Sequence, residues 1–220
     1  MKKLMGMMFV SFFVSSNNVM SAEADTTEKV FTQVYDSNVW FSKGTSGLGS
    51  RVDNTKPYMD FLQAFLKHNN IKSVVDVGCG DWSFSKHIDW SGAFYFGYDI
   101  VKSVIEENWK QYHNPYRLFV HGDALTSDLP PADLLICKDV LQHLPHAEIL
   151  TFLKQLSKFK YCLIMNDVDF DTETSLNKDI IKGDYRSLDL TKKPFDIKGA
   201  KVLTYVAHHF VKKQLLLIVN

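Results

Sequence analysis

Neither sign of charge prevails in this chain: 25 basic residues stand against 25 acidic ones across 220 positions. That balance removes the electrostatic case for nucleic acid or an anionic membrane surface as a general partner. Cysteine is scarce as well; Cys79, Cys137 and Cys162 are odd in number and show no paired spacing. A small secreted fold stapled by disulfides carries more of them, in even number. Cys137 and Cys162 each sit inside an apolar run and read as small buried hydrophobes. With 11 glycines, 6 prolines and no repeats, collagen-like and low-complexity architectures are excluded. No apolar stretch reaches the roughly 20 residues that a membrane-spanning helix needs. What is present is a globular composition, 45% hydrophobic, sufficient for one core in about one domain.

The N-terminus has three parts: a basic start at Met1 to Lys3, an apolar run from Leu4 to Val14 broken by Gly6 and Ser11, and a polar, small-residue stretch from Ser15 to Ala24. That is the layout of a secretory signal peptide, with Ala22-Glu23-Ala24 as an A-x-A cleavage site and Ser21 or Ala22 as nearer alternatives. Residues 1–24 are therefore expected to be a signal peptide and 25–220 a single domain. Residues 1–22 hold Lys2 and Lys3 and no acid, so without them 23 basic residues face 25 acidic ones, a net charge of −2. The alternative is an uncleaved segment that tethers the protein to a membrane.

Residues 23–52 read as a lead-in containing Trp40, Phe41 and a Gly/Ser-rich stretch from Lys43 to Arg51. Tyr58, Phe61, Leu62, Phe65 and Leu66 recur at helical spacing, with Pro57 near the helix start. Ser73 to Val77 reads as a buried strand closed by Gly78-Cys79-Gly80. Further strands are expected at Phe94–Tyr98, Arg117–Val120, Asp133–Cys137 and Tyr161–Met165, with helices over Val101–Tyr112 and around Ile149–Leu156. This alternation of strands and helices, with near-continuous apolar strands, is the pattern of a parallel sheet covered on both faces. Val202–Val206 and Leu215–Val219 read as a closing antiparallel hairpin.

The glycine turn after the first strand lets backbone approach a ligand, and a following helix would present its N-terminal N–H groups there. A dinucleotide fingerprint wants a third glycine at position 83, where this chain has Ser83, so the glycine pair alone is a weak signal. Asp99 stands about 20 residues on, at the end of the second strand, where a carboxylate suits both hydroxyls of a ribose. Asp123 ends the third strand. Carboxylates at successive strand ends matter because open α/β sheets bind ligands at that edge.

The ordered segments Val75-Asp76-Val77-Gly78-Cys79-Gly80, Gly97-Tyr98-Asp99, Gly122-Asp123-Ala124 and Asp133 to Leu144 resemble the motifs of class I S-adenosylmethionine-dependent methyltransferases. Trp40 with Ser46 to Ser50 resembles an N-terminal cap of one branch, and Asn177 to Ile180, Gly183 to Arg186, Leu188 to Leu190 and Pro194-Phe195 resemble that branch's tail. The resemblance spans residues 31–220 and departs at Trp82, where the family has its usual third glycine. It implies an α/β, Rossmann-like seven-stranded methyltransferase sheet, mostly parallel with a C-terminal antiparallel hairpin. It implies S-adenosyl-L-methionine as cofactor and an acceptor that is a small molecule or a protein side chain. Asp76, Gly78 and Gly80 would shape the cofactor loop, Asp99 would hold the ribose and Asp123 the adenine amine. Trp40 and Arg51 would close over the cofactor, with Arg51 equally readable as a surface charge, while Lys138 and Asp139 would face the methyl group; His143 is a candidate base whose alternative is a capping or packing histidine in the His-Leu-Pro turn.

A sulfonium methyl needs alignment more than covalent help, and an amine or hydroxyl nucleophile needs a proton acceptor. Asp139 and His143 are four apart and share a face if that segment is helical. Asn177 and Arg186, between the fifth strand and the hairpin, are expected to shape the acceptor pocket. Asp139 with Asn166-Asp167 resembles the magnesium site of catechol-type enzymes, although such residues more often open a polar loop. His143 and His146 lack further ligands for zinc, and no metal is expected. His208 and His209 fall at the hairpin turn. The rival functions are an NAD-dependent oxidoreductase and a catalytically silent binding module. A cytosolic methyl donor, an export leader and unpaired thiols together lead to the expectation of a secreted protein acting in another cell's cytosol.

Overall fold

Apolar runs with β-branched residues build the sheet of the computed structural model, which describes residues 26–37, 46–90, 92–168, 176–207 and 211–220. Trp40, His208, His209 and the signal segment lie outside the described residues. The first two helices are α1 (Thr27–Asp36) and α2 (Val52–His68). Then follow β1 (Ser73–Val77), β2 (Phe94–Asp99), α3 (Lys102–Tyr112), β3 (Arg117–His121) and β4 (Ala132–Lys138). The chain continues through α4 (His146–Leu153), β5 (Phe159–Val168), β6 (Ala200–Val206) and β7 (Lys212–Val219). The strands form a seven-stranded sheet in the order β3-β2-β1-β4-β5-β7-β6. The first five are parallel, and β7 runs antiparallel to both β5 and β6. Strand order reverses between β1 and β4, so a crevice opens at the carboxyl ends of those strands.

Alternate side chains divide the core between the two faces. Val75, Val77, Leu135, Cys137, Cys162 and Ile164 pack with Ile149 and Phe152 of α4 and with Leu188, Leu190 and Phe195 of the tail. Val74, Leu134, Ile136, Leu163 and Met165 pack with Tyr58, Leu62 and Leu66 of α2, with Ile105 of α3 and with Trp82 and Trp90. All three thiols are free and buried.

Three local readings change. First, α1 occupies part of the expected lead-in; the Thr26 hydroxyl caps it by accepting the Lys29 N–H, and Phe31 packs on the core. Second, α2 begins six residues before Tyr58, so Pro57 lies inside it and supplies no N–H to the helix. Third, no α-helix lies between β1 and β2 among the described residues; a 3-10 turn, Ser85–His87, takes its place after the glycine turn. Trp82 is the reason. At φ 57 it turns its ring inward, buried against Trp90, Tyr95, Tyr112 and Phe119. The large aromatic fills the layer beneath the turn, and the N–H groups expected from a helix start are not presented there.

Candidate functional site

A cleft of about 520 Å³ lies over the carboxyl ends of the parallel strands. Asp76, Gly78, Gly80, Asp99, Asp123, Lys138, Asp139 and His143 all line it. Tyr98 turns the end of β1 by accepting the N–H groups of Gly78 at 2.8 Å and Cys79 at 3.0 Å on its carbonyl. Gly78, at φ 72, leaves no room for a side chain, since a Cβ would meet Val140 Cγ2 at 2.3 Å. The buried Asp99 carboxylate accepts Gly80 N–H on Oδ2 and Val101 N–H on Oδ1, each at 3.0 Å. Burial raises its pKa, and those backbone bonds work against the rise. Asp123 accepts Leu125 N–H at 2.9 Å. Asp76 lies deeper, with the Tyr95 hydroxyl donating to it at 2.6 Å. Burial pushes its pKa up to about 7, partly offset by that hydrogen bond.

The opposite end of the cleft holds four charged groups, Lys138, Asp167 and Lys213 buried and Asp139 half-buried. Lys138, the last residue of β4, donates to Asp139 at 2.6 Å and to the Gly49 carbonyl at 2.9 Å. Lys213 Nζ, on β7, lies 2.8 Å from Asp139 Oδ1 and 2.5 Å from Asp167 Oδ1. The Tyr185 hydroxyl and the Gln142 amide donate to Asp167 Oδ2 at 3.0 and 3.4 Å. Burial opposes the charge on Asp139, but Lys138 and Lys213 outweigh it and hold that carboxyl well below the usual range. Burial likewise opposes the Lys213 ammonium, which Asp139 and Asp167 keep above its ordinary value. Burial lowers the Lys138 pKa. Both carboxylates are thus committed to lysines, and among the described residues no group of three or more His, Cys, Asp or Glu is placed to hold a metal.

His143 sits between the two ends. Asp139, at φ 60, breaks the chain direction, and His143 follows on a 3-10 turn, Leu141–His143, rather than one helical turn away. Its Nδ1 lies 3.0 Å from the Asp184 carbonyl, which only accepts, so Nδ1 carries the hydrogen and Nε2 the lone pair. Burial lowers its pKa and favours the neutral ring. The Gln142 amide, 3.5 Å from Nε2, links the ring to Asp167.

The segment from Ser46 to Ser50 roofs the cleft. Ser46 Oγ accepts Asp81 N–H at 2.8 Å and lies 3.2 Å from the Tyr35 hydroxyl, while Ser83 donates to the Ser50 carbonyl at 2.9 Å. Arg51 does not join that roof. It is a half-exposed residue at the start of α2, paired with Asp53 at 3.3 Å, and its expected place over the cofactor is corrected. Asn177 and Arg186 do not line the cleft either. Asn177 is buried, donating to the Asp189 and Lys193 carbonyls and accepting Asp189 N–H. Arg186 donates to the Leu144 and Leu141 carbonyls at 2.8 and 3.4 Å. Both fasten the tail to the scaffold. His146 also belongs to that fastening, with Nε2 at 2.8 Å from the Asn177 carbonyl. Lys213, Tyr185 and Gln142, which sequence reasoning missed, line that end of the cleft together with Asp167.

Residues 75–159 match a family model described as a methyltransferase domain. No curated protein matches the chain. Among solved structures, magnesium protoporphyrin IX methyltransferase from Synechocystis PCC 6803 with bound SAM is similar at 18% identity and a TM-score of 0.63, over 91% of this chain and 100% of that one. A SAM-dependent methyltransferase from Aquifex aeolicus is 15% identical at a TM-score of 0.53, over 77% and 93%. Human N-acetylserotonin methyltransferase in complex with SAM is 15% identical at 0.54, over 89% and 60%. The fold is that of class I methyltransferases.

Proposed function

We propose, for a chain whose residues 75–159 match a family model described as a methyltransferase domain, that it transfers the methyl group of S-adenosylmethionine to a small-molecule acceptor. The observation that carries this is the two-ended cleft at the carboxyl edge of the sheet. One end suits the nucleoside. Each Asp99 oxygen spends one acceptor position on a backbone N–H, leaving a second for each hydroxyl of a ribose diol. Asp123 stands at the next strand end, in reach of an exocyclic amine on the base. The other end is walled by Gly49, Lys138, Asp139, Gln142, His143, Asp167, Tyr185 and Lys213, a recess within a cleft shared with the cofactor that favours a small acceptor.

When bound, S-adenosylmethionine supplies a methyl group already activated on a positively charged sulfur, so alignment provides much of the rate. His143 is the group suited to take a proton from a hydroxyl or amine nucleophile, because its Nε2 carries the lone pair and the Asp184 carbonyl fixes the ring. Asp139, held ionised by two lysines, is a poor base and serves to position them. Calorimetry with S-adenosylmethionine, S-adenosylhomocysteine and NAD tests the reading. Both S-adenosyl compounds are expected to bind and NAD is not; binding of NAD alone would overturn it.

We also propose export, on the N-terminal layout of residues 1–24, with action in a reducing compartment that supplies the methyl donor. The three buried free thiols support the second half. Recovery of native protein only in membrane fractions, with Met1 intact, would overturn it.

A further inference from the structure

We infer, resting on the methyl-transfer reading above, that the donor's α-ammonium docks over Asp76 and drives the proton from its carboxyl group, so that S-adenosylmethionine binds with release of a proton and more tightly as pH rises. Five aspartates line the cleft, and four of them have compensation in place. Asp139 and Asp167 are paired with Lys213, and Asp139 with Lys138 as well. Asp99 accepts two backbone N–H groups and Asp123 accepts one. Asp76 is the exception. It is buried, takes one hydrogen bond from the Tyr95 hydroxyl, and has no ion pair among the described residues. A buried carboxylate so supplied favours its neutral form until a cation arrives.

The groups facing Asp76 leave the proton on it. Tyr95 and Asp99 come from β2, Cys137 and Lys138 from β4, Tyr58 from α2 and Cys79 from the glycine turn. Burial raises both tyrosines and both thiols, so all four are neutral near pH 7. The like charge of Asp99 works against ionisation, and Lys138 is turned to Asp139 and the Gly49 carbonyl. Strand order puts this carboxyl in the donor's path. Asp123 follows β3, Asp99 ends β2, Asp76 lies on β1 and Lys138 ends β4, and those strands stand side by side in that order. A donor with its base at Asp123 and its ribose at Asp99 carries its methionine across the end of β1. The α-ammonium brings three N–H groups to the carboxylate there, whereas the sulfonium brings none. The displaced proton passes to solvent, and a neutral acid is exchanged for a neutral ion pair.

Calorimetry of the full chain in buffers of different ionisation enthalpy counts the protons. S-adenosylmethionine and S-adenosylhomocysteine both carry the ammonium, and each is expected to release nearly one proton at about pH 6 and about half a proton at about pH 7. Affinity for either should rise about eightfold between about pH 6 and about pH 7.5. 5′-Methylthioadenosine keeps the nucleoside and the sulfur but has no ammonium, and is expected to release none. Asp76→Asn, which keeps a carbonyl for the Tyr95 hydroxyl, should abolish the release and leave donor affinity flat over that range. Release confined to S-adenosylmethionine would assign the effect to the sulfonium, and release persisting in Asp76→Asn would assign it to another group; either overturns the inference. Equal release with 5′-methylthioadenosine overturns it too, and this comparison on the unaltered chain decides if the variant does not fold. Donor binding without proton release removes the inference alone, whereas failure of both S-adenosyl compounds to bind removes the methyl-transfer reading and the inference with it.

Discussion

At the Asp99 end of the cleft, carboxylates at strand ends are fixed by nearby backbone: Asp99 by Gly80 and Val101, and Asp123 by Leu125. At the Lys213 end, a single cluster draws on Gly49, Asp139, Asp167, Tyr185 and Lys213, from five separate stretches of chain. The first end is a set of local turns repeated along a sheet edge. The second exists only when β7 is laid beside β5. A binding site built from strand ends survives the loss of distant contacts, whereas a charge cluster assembled across the sheet depends on every member being present.

The largest break in that comparison is Lys213→Met. It leaves the buried Asp167 and the half-buried Asp139 without their shared cation, and one-sided loss of a buried pair costs about 3–5 kcal/mol. Urea or thermal unfolding should show a drop of that order, largely restored when Asp167→Asn is added. Asp76→Asn probes the other end. Burial pushes its carboxyl up to about 7 in the folded protein, far above the ordinary carboxylate value, so it is stabilising when protonated. That contribution is complete below about pH 4 and is lost as pH rises through about 7, roughly 4 kcal/mol in all. The variant should remove this fall, seen as a flatter run of unfolding midpoints between those pH values.

Asp99→Ala is expected to weaken S-adenosylmethionine binding by at least about 100-fold, since it removes an ionised acceptor for two hydroxyls. Calorimetry on a folded variant reads this directly, and retention of affinity within twofold would take Asp99 out of the site. Arg51→Ala is the smallest effect. With its guanidinium half-exposed and paired only at the surface, it should change stability by less than about 0.5 kcal/mol and leave donor affinity unchanged.

Legibility in the sequence followed the same divide. The bounds of β1 were readable because Ser73 to Val77 is a short apolar run stopped by glycine. Asp99 and Asp123 were readable because Asp99 closes β2 and Asp123 lies two residues beyond β3. Lys213 was not. It stands beside Lys212 at the start of a strand, where two lysines resemble a solvated edge, and its partners Asp139 and Asp167 lie far back in the chain. Arg186 and Asn177 looked like pocket residues because their segment passes near the acceptor edge, but their hydrogen bonds go to backbone carbonyls beneath it. The helix expected after Gly80 failed for a different reason: its place was decided by how much room Trp82 takes.

That tryptophan has an optical consequence. Trp82 and Trp90 are stacked with centroids 6.4 Å apart and share a buried layer with Tyr95, whose hydroxyl reaches Asp76. Trp82 is two residues from Gly80, so a ligand that moves the glycine turn moves an indole shielded from solvent. The glycine turn therefore has a fluorophore packed beneath it, and quenching or wavelength shifts on titration are expected to report occupancy without a label.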